Sequence, residues 1–143
     1  MERLVLDTNV LISGLLWDGN EAEILTKAGR GDIKLFISDE ILKELEGVLK
    51  RDKFTKKLEG KETTVERAVA KIALIATLIE ADQHLNVIED DPDDNSVLEC
   101  AIAARASCIV SGAGHLLTLK RFSGIDIISA GEFKKRIGQK GER

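Results

Sequence analysis

The sequence is poor in aromatic residues, proline and cysteine, and each shortage limits what the chain can be. Aromatic side chains make up 3% of its 143 residues, so aliphatic side chains must fill the core and few platforms remain for stacking single-stranded bases. Any contact to a nucleic acid should therefore be mainly to phosphates. One proline and no low-complexity tract, with 43% apolar and 32% charged residues, are typical of a folded protein rather than a disordered one.

Metal–thiolate sites and membrane spans are also unsupported by the sequence. Cys100 and Cys108 are too few and too widely spaced for a zinc motif. No apolar stretch approaches the roughly 20 residues that cross a bilayer, because the segment from Ile72 to Ile79 is followed at once by acidic residues. The chain opens on a predicted strand without a signal segment, so we expect a cytoplasmic protein with no membrane contact.

Charge is distributed unevenly along the chain. The net charge of -4 argues against a general polyanion binder. Six basic residues are nevertheless crowded into one short stretch: Lys50, Arg51, Lys53, Lys56, Lys57 and Lys61. This run predicts either a local basic surface or a solvated helix face. Trp17, the single tryptophan, follows an apolar helical stretch and suits either core packing or a dimer contact.

Short apolar runs alternate with helical patterns along the whole chain. The predicted strands are Leu4 to Leu6, Leu35 to Ile37, Leu85 to Ile88, Cys108 to Val110 and Ile125 to Ile128. Runs that are apolar throughout suit parallel strands covered on both faces. The expected fold is a three-layer α/β/α sandwich with a central parallel sheet of about five strands.

The helix boundaries follow from capping residues. Ser38 precedes a helical stretch, Ser129 with Glu132 forms a capping box, and Asp91 before a proline suits an N-cap. Residues 50–79 show no strand pattern and predict two helices packed as a hairpin. A single domain is expected over residues 1–137, followed by a flexible tail at 138–143.

Three acidic positions are candidates for chemistry. Asp7 lies where the first strand ends and a helix begins, at the edge of a parallel sheet where ligands bind, although it could simply cap that helix. Glu44 borders the buried stripe of its helix, but Glu46 borders the opposite edge equally well. Periodicity alone therefore does not choose between these two glutamates.

The third acidic position comes from an acidic run at a predicted helix start. The helix dipole explains most of Glu89, Asp90 and Asp91. If Asp91 is the N-cap, Asp94 lies on the face that bears the next apolar residues and points inward. Asp94 is therefore the third candidate.

Several carboxylates placed together need a compensating cation. All-oxygen ligands without a Cys or His cluster favour Mg²⁺ or Mn²⁺ over zinc. Such a metal would activate water and offset the charge that develops on a phosphodiester during hydrolysis.

Four segments occur together in a recognisable order: LDTNVLISGLL, SDEILKELEGVL, DPDDNSVLECAIAARASCIVSG with HLLTL, and GIDIISAGEF. The chain resembles a PIN domain over almost its whole length, and in particular the small prokaryotic PIN proteins described as toxins of toxin–antitoxin pairs. The resemblance implies a metal-dependent ribonuclease with a sheet of order 3-2-1-4-5 and an acidic site at the carboxyl ends of the strands. Asp7, Glu44 and Asp94 match the acids of the family.

The resemblance also implies supporting residues and partners, and the chain departs from the family pattern at one position. Thr8, Asn9, Asn95 and Ser111 lie beside the matched acids, where they either orient ligands or serve as local caps. RNA is the implied substrate, an antitoxin protein is an implied partner, and homodimers or higher homo-oligomers are expected. After the fourth strand, where the family has an acid, this chain has Ala113, which should weaken metal binding and a second metal site above all. His115 nearby is interpreted as a helix-start residue.

Two other functions are compatible with parts of the pattern. A catalytically weakened PIN domain could still bind RNA or a partner protein. A phospho-accepting receiver domain also combines α/β alternation with an acidic Mg²⁺ site, but it needs a Lys after the fifth strand, where this chain has Ser129 and Ala130.

Overall fold

The computed structural model describes residues 1–82, 84–85, 87–88, 92–112 and 114–141, with only the backbone for 139–141. Within these residues the strands are β1 Arg3–Leu6, β2 Lys34–Ile37, β3 Ala76–Leu78, β4 Cys108–Val110, β5 Arg121–Phe122 and β6 Ile125–Ile128. The helices are α1 Thr8–Leu16, α2 Asn20–Arg30, α3 Asp39–Leu49, α4 Asp52–Gly60, α5 Val65–Ile75, α6 Pro92–Ala104, α7 Gly114–Leu119 and α8 Ala130–Gly141.

The strands form one sheet in the order β3-β2-β1-β4-β6-β5. All neighbouring strands are parallel except β5, which pairs antiparallel with β6. The first five strands in this order reproduce the predicted 3-2-1-4-5 arrangement, and β5 adds a short edge. A receiver domain has the order 2-1-3-4-5 instead, so the sheet excludes that alternative.

Both faces of the sheet are covered by helices. Leu4, Val5 and Leu6 follow one another in β1 and are all buried, although successive strand residues point to opposite faces. The three consecutive residues of β4 are buried as well. The predicted three-layer α/β/α sandwich is therefore confirmed, and its core is mainly aliphatic, with Phe36 and Phe133 as the buried aromatic residues in the described part of the chain.

The third strand is not where the sequence pattern placed it. The segment Leu85 to Ile88 was expected to form it, but Ala76–Leu78 does so, at the end of a stretch predicted to be helical throughout. In the described residues of the expected strand, the backbone N–H of Leu85 donates to Glu99 Oε2 at 2.7 Å, and those of Val87 and Ile88 donate to Asn95 Oδ1 at 3.1 and 3.0 Å. Side chains of α6 thus occupy donors that a strand would use for pairing.

The remaining predictions of helices and turns have mixed outcomes. Ser38 caps α3, and Ser129 and Glu132 bond reciprocally at the start of α8, as expected. The two predicted helices are present before β3, but α4 and α5 pack mainly on α3 and not on each other as a hairpin. The hairpin of β5 and β6 was not predicted; it turns at Ser123 and Gly124, both with positive φ, as in a two-residue type I′ turn.

The end of the chain is helical beyond the expected domain boundary. α8 continues to Gly141, so the predicted tail at 138–143 begins inside this helix. The division at residue 137 stays a prediction. Asp91, the predicted cap of α6, and its neighbours Glu89 and Asp90 lie outside the described residues, as does Ala113.

Candidate active site

The carboxyl ends of the parallel strands meet at one edge of the sheet, which we call the acidic rim, formed by Asp7, Glu44, Asp94 and the residues that contact them. Asp7 directly follows β1, and its backbone N–H donates to the carbonyl of Val110 at 3.1 Å, which aligns the ends of β1 and β4. Its Oδ1 accepts from the N–H of Val10 at 2.9 Å. Asp7 is therefore the N-cap of α1 and lies between the carboxyl ends of β1 and β4.

Asp7 is buried, with 7% of its surface exposed. Burial raises the pKa of its carboxyl above the ordinary value, and hydrogen bonds from Ser111 and from the backbone of Val10, Gly112 and Asn9 partly offset that rise. The Ser111 hydroxyl donates to Oδ2 at 2.5 Å. The negative charge of Asp7 is thus costly in the protein alone and would be favoured by a nearby cation.

Glu44 is the glutamate of α3 that faces the rim. It is half-buried, and its Oε2 accepts from the buried hydroxyl of Thr8 at 2.7 Å. Glu46 is exposed instead and forms a surface ion pair with Lys50 at 2.9 Å. The structure therefore distinguishes two glutamates that helical periodicity could not, because Glu44 is bonded to Thr8, the residue that follows Asp7.

Asp94 reaches the same edge from α6. The last residue of α6, Ala104, accepts a hydrogen bond from Arg3 at the amino end of the sheet. The first turn of α6 therefore lies at the opposite, carboxyl end. Asp94 is half-buried there, and its Oδ2 lies 3.9 Å from Nδ1 of His115 at the start of α7. The predicted helix-start position of His115 is correct, but its proximity to Asp94 was not foreseen. The signal available was its place just after β4, the strand next to β1.

The other predicted site residues divide into two groups. Thr8 and Ser111 are buried and bond directly to Glu44 and Asp7. Asn9 is exposed, and its backbone N–H contributes a hydrogen bond to Asp7. Asn95 is buried, and besides accepting from the 87–88 segment, it donates from Nδ2 to the carbonyl of Ile88 at 2.7 Å. Its role beside the acids stays a prediction.

The donor chemistry of the rim fits a hard divalent cation. Asp7, Glu44 and Asp94 offer carboxylate oxygens, and the raised pKa of Asp7 reflects a burial cost that a cation would offset. In the part of the chain that the structure describes, no three His, Cys, Asp or Glu side chains are already grouped as a metal site. Mg²⁺ needs no such cage, because it keeps several waters and is commonly held by one or two carboxylates.

The two thiols do not take part in this site. Cys100 and Cys108 are fully buried, and burial raises the pKa of each to about 12. Both stay protonated and inert at neutral pH. As for a membrane location, none of the helices in the described ranges has the length and apolar character to cross a bilayer.

A mostly parallel α/β/α sandwich with the sheet order β3-β2-β1-β4-β6-β5 and the buried carboxylate of Asp7 at the end of β1 defines the class of domain to which the chain belongs. The family model of the PIN domain matches residues 3–113, and the chain belongs to the PIN-domain family. Members of this family are generally nucleases that depend on a divalent metal.

Solved structures share the fold. A chain in the crystal structure of VapBC2 from Rickettsia felis, bound to a DNA fragment from their promoter, is 16% identical, with a TM-score of 0.60. The match covers 87% of this chain and 96% of that one. A comparison with curated proteins found no match.

Proposed function

We propose that the chain is an endoribonuclease that hydrolyses RNA phosphodiester bonds with Mg²⁺ or Mn²⁺. The observation that supports this most directly is the buried Asp7 at the carboxyl end of β1 in a PIN fold, with a raised pKa that a nearby cation would offset. Thr8 bonds to Glu44, Ser111 bonds to Asp7, and His115 lies beside Asp94.

The carboxylates of Asp7, Glu44 and Asp94 would hold the metal. When bound, the ion would activate a water nucleophile and offset the negative charge that develops on the phosphate. Ser111 and the N–H of Val10 hold the Asp7 carboxylate from two sides, and Thr8 holds that of Glu44. These contacts fix the direction of the ligands before a metal arrives, which lowers the cost of assembling the site.

The test is cleavage of labelled single-stranded RNA with and without Mn²⁺. The chain itself, Asp7→Asn and Ala113→Asp should be compared at equal concentration. We expect metal-dependent cleavage that falls by at least about a hundredfold in Asp7→Asn and rises in Ala113→Asp, which restores the acid of the family pattern. Absence of metal-dependent cleavage by both the chain and Ala113→Asp would contradict the proposed function.

Ala113 favours a second candidate, a catalytically weakened PIN domain that binds RNA or a partner protein. In that case RNA binding with a steep salt dependence persists while cleavage is absent. Salt-insensitive or undetectable binding counts against this candidate. The two candidates therefore differ in one measurable step, hydrolysis, and share the binding that precedes it.

We further propose a toxin–antitoxin setting in the cytoplasm. The structural similarity to a chain of the VapBC2 structure supports an antitoxin partner, which would occupy the acidic rim, for example with an inserted arginine. A homodimer or higher homo-oligomer is part of this proposal. Light scattering tests the oligomer, and co-purification with the product of a neighbouring gene tests the antitoxin. A monomer at micromolar concentration would contradict the first, and failure of the co-expressed pair to associate would contradict the second.

A further inference from the structure

Two adjoining clefts lie between the helices α1 and α2 on one side and α4 and α5 on the other; together we call them the basic cleft. One has a volume of about 430 Å³ and the other about 330 Å³. They share Leu15, Lys61 and Lys71 in their linings and are therefore continuous. This volume is distinct from the acidic rim, since none of Asp7, Glu44 and Asp94 lines it.

Three cationic side chains line the basic cleft. Arg67 and Lys71 are separated by one helical turn and so lie on the same face of α5, while Lys61 follows α4. All three are exposed, and none forms an ion pair with a carboxylate in the described ranges. Asp18 is the only acid among the described residues that line the two clefts. The cleft therefore presents a local positive charge on a chain whose net charge is -4.

The exposed tryptophan lies at the edge of the same cleft. Trp17 lines its second half and is 47% exposed, so the interpretation of it as a core residue is wrong. The ammonium of Lys57 lies 5.4 Å from the centroid of its ring. A large aromatic surface beside several cations is the combination that binds single-stranded nucleic acid, with bases on the ring and phosphates on the cations.

A single strand of RNA that crosses the acidic rim could also reach the basic cleft. The helix α1 starts at Thr8, which bonds to Glu44, and ends at Leu16, next to Trp17. Nine helical residues span about 13 Å, a distance that a few nucleotides can bridge. An acidic protein segment could also use the cations but would have less use for the exposed indole.

We propose that the basic cleft binds single-stranded RNA outside the acidic rim, with Lys61, Arg67 and Lys71 on phosphates and Trp17 against a base. The inference rests on the proposed function in taking RNA as the ligand. It adds a substrate contact that the acidic residues do not provide. It also assigns a role to Lys61, the last residue of the basic run. The sequence pattern alone was compatible with either a local basic surface or a solvated helix face.

The test is binding of a labelled single-stranded RNA in EDTA, where a metal at the rim contributes nothing. Binding is followed by anisotropy and by the fluorescence of Trp17, the only tryptophan. The cleft variant is Lys61→Ala, Arg67→Ala, Lys71→Ala. The matched control is Lys53→Ala, Lys56→Ala, Lys135→Ala, which removes the same charge from exposed positions outside the cleft. Circular dichroism checks that both variants are folded.

We expect RNA to quench Trp17, and the cleft variant to bind at least about tenfold more weakly than the control. Its slope of log affinity against log salt should be smaller by about two, since each lost phosphate contact on a single strand removes about 0.7. Trp17→Leu should weaken binding by roughly tenfold. Equal affinity of the cleft variant and the control, or unchanged Trp17 fluorescence at saturation, would overturn the inference.

Two further results separate this inference from its alternatives. If polyglutamate of equal charge displaces RNA at equal concentration and RNA leaves Trp17 unchanged, the cleft serves an acidic protein and the inference is wrong. If binding depends on the cleft while no variant cleaves RNA with Mn²⁺, the inference stands and the proposed nuclease activity does not. If cleavage occurs but the cleft variant binds and cleaves like the control, the inference alone fails.

Discussion

Asp7 serves two needs that conflict in the protein without metal. As the N-cap of α1 it satisfies the backbone N–H of Val10, and as the metal ligand that we propose it would have to be ionised although it is buried. Burial accordingly raises the pKa of its carboxyl above the ordinary value. A buried carboxylate kept for function commonly lowers the stability of the fold that holds it.

At this scale we predict that Asp7→Asn stabilises the metal-free protein at pH 7. The folded-state pKa lies above the ordinary 3.8, so the contribution of Asp7 to stability is fully present below pH 3.8 and is lost as the pH rises through the folded pKa. Asparagine keeps an oxygen for Val10 and removes the charge. We expect a gain of about 1 kcal/mol at pH 7 that disappears near the ordinary pKa.

Urea unfolding in EDTA at several pH values measures this effect. The control is Asp39→Asn, since Asp39 is an exposed acid in the first turn of α3, where its removal should cost a few tenths of a kcal/mol. Equal destabilisation of Asp7→Asn at all pH values would show that the capping role outweighs the burial of charge.

Thr8 is predicted to act on metal binding through Glu44. Thr8→Val preserves the shape of the side chain but removes the hydroxyl that donates to Glu44 Oε2. We expect Mn²⁺ affinity to fall by about 10- to 100-fold, as for other residues that orient a ligand, with a loss of about 1 kcal/mol in stability. Calorimetric titration with Mn²⁺ checks it. Thr26→Val, which removes an exposed hydroxyl from α2, should leave the affinity unchanged, and equal affinities of the two variants would refute the role of Thr8.

Among the elements, the described part of the loop before α6, residues 84–85 and 87–88, forms hydrogen bonds with side chains of that helix. Asn95 satisfies the N–H groups of Val87 and Ile88 and the carbonyl of Ile88. We predict that Asn95→Ala destabilises the protein by about 2–3 kcal/mol, because partly buried backbone groups lose their partner. Urea unfolding measures the loss, and Ser96→Ala on the same turn is the control. If stability is unchanged and Mn²⁺ affinity falls, Asn95 is a residue of the acidic rim instead.

This loop also shows why sequence patterns located some elements and missed others. The caps at Ser38 and at Ser129 with Glu132 depend on residues three positions apart, so a local pattern suffices. The run from Leu85 to Ile88 has the composition of a strand. Its backbone N–H groups, however, bond to Glu99 and Asn95, which come later in the chain. A local pattern cannot report such contacts.

The acidic rim was predictable to a similar degree. Asp7 follows a clear strand, so its place at the edge of the sheet could be predicted. The choice of Glu44 over Glu46 depends on where Thr8 lies, and the contact between Asp94 and His115 depends on how α6 and α7 meet. Both contacts depend on tertiary packing, which helical periodicity does not predict.

For the whole molecule, the edge of the sheet opposite the acidic rim is held by a network of charges. The buried Glu2 accepts from Ser107 at 2.6 Å and from Arg136 at 3.1 Å, and Arg136 also donates to Asp126 at 3.2 Å. The network joins the start of β1, the approach to β4, the strand β6 and the helix α8. Among the described ion pairs, only that of His115 with Asp94 involves an acid of the rim.

This network predicts which residues of α8 contribute to the stability of the fold. Truncation after Ile137 keeps Arg136 and should change the free energy of unfolding by no more than about 0.5 kcal/mol, as expected if the domain ends at 137. Arg136→Met should cost about 2–3 kcal/mol, because it removes the cation beside the buried carboxylate of Glu2, while the bond from Ser107 and the partial exposure of Arg136 keep the loss below that of a fully buried pair. Lys134→Met is the matched control, since its pair with Glu23 is exposed and should contribute little. Thermal and urea unfolding of the three proteins distinguish the outcomes. A truncation as damaging as Arg136→Met would mean that the last turn of α8 belongs to the domain and that its boundary lies beyond residue 137.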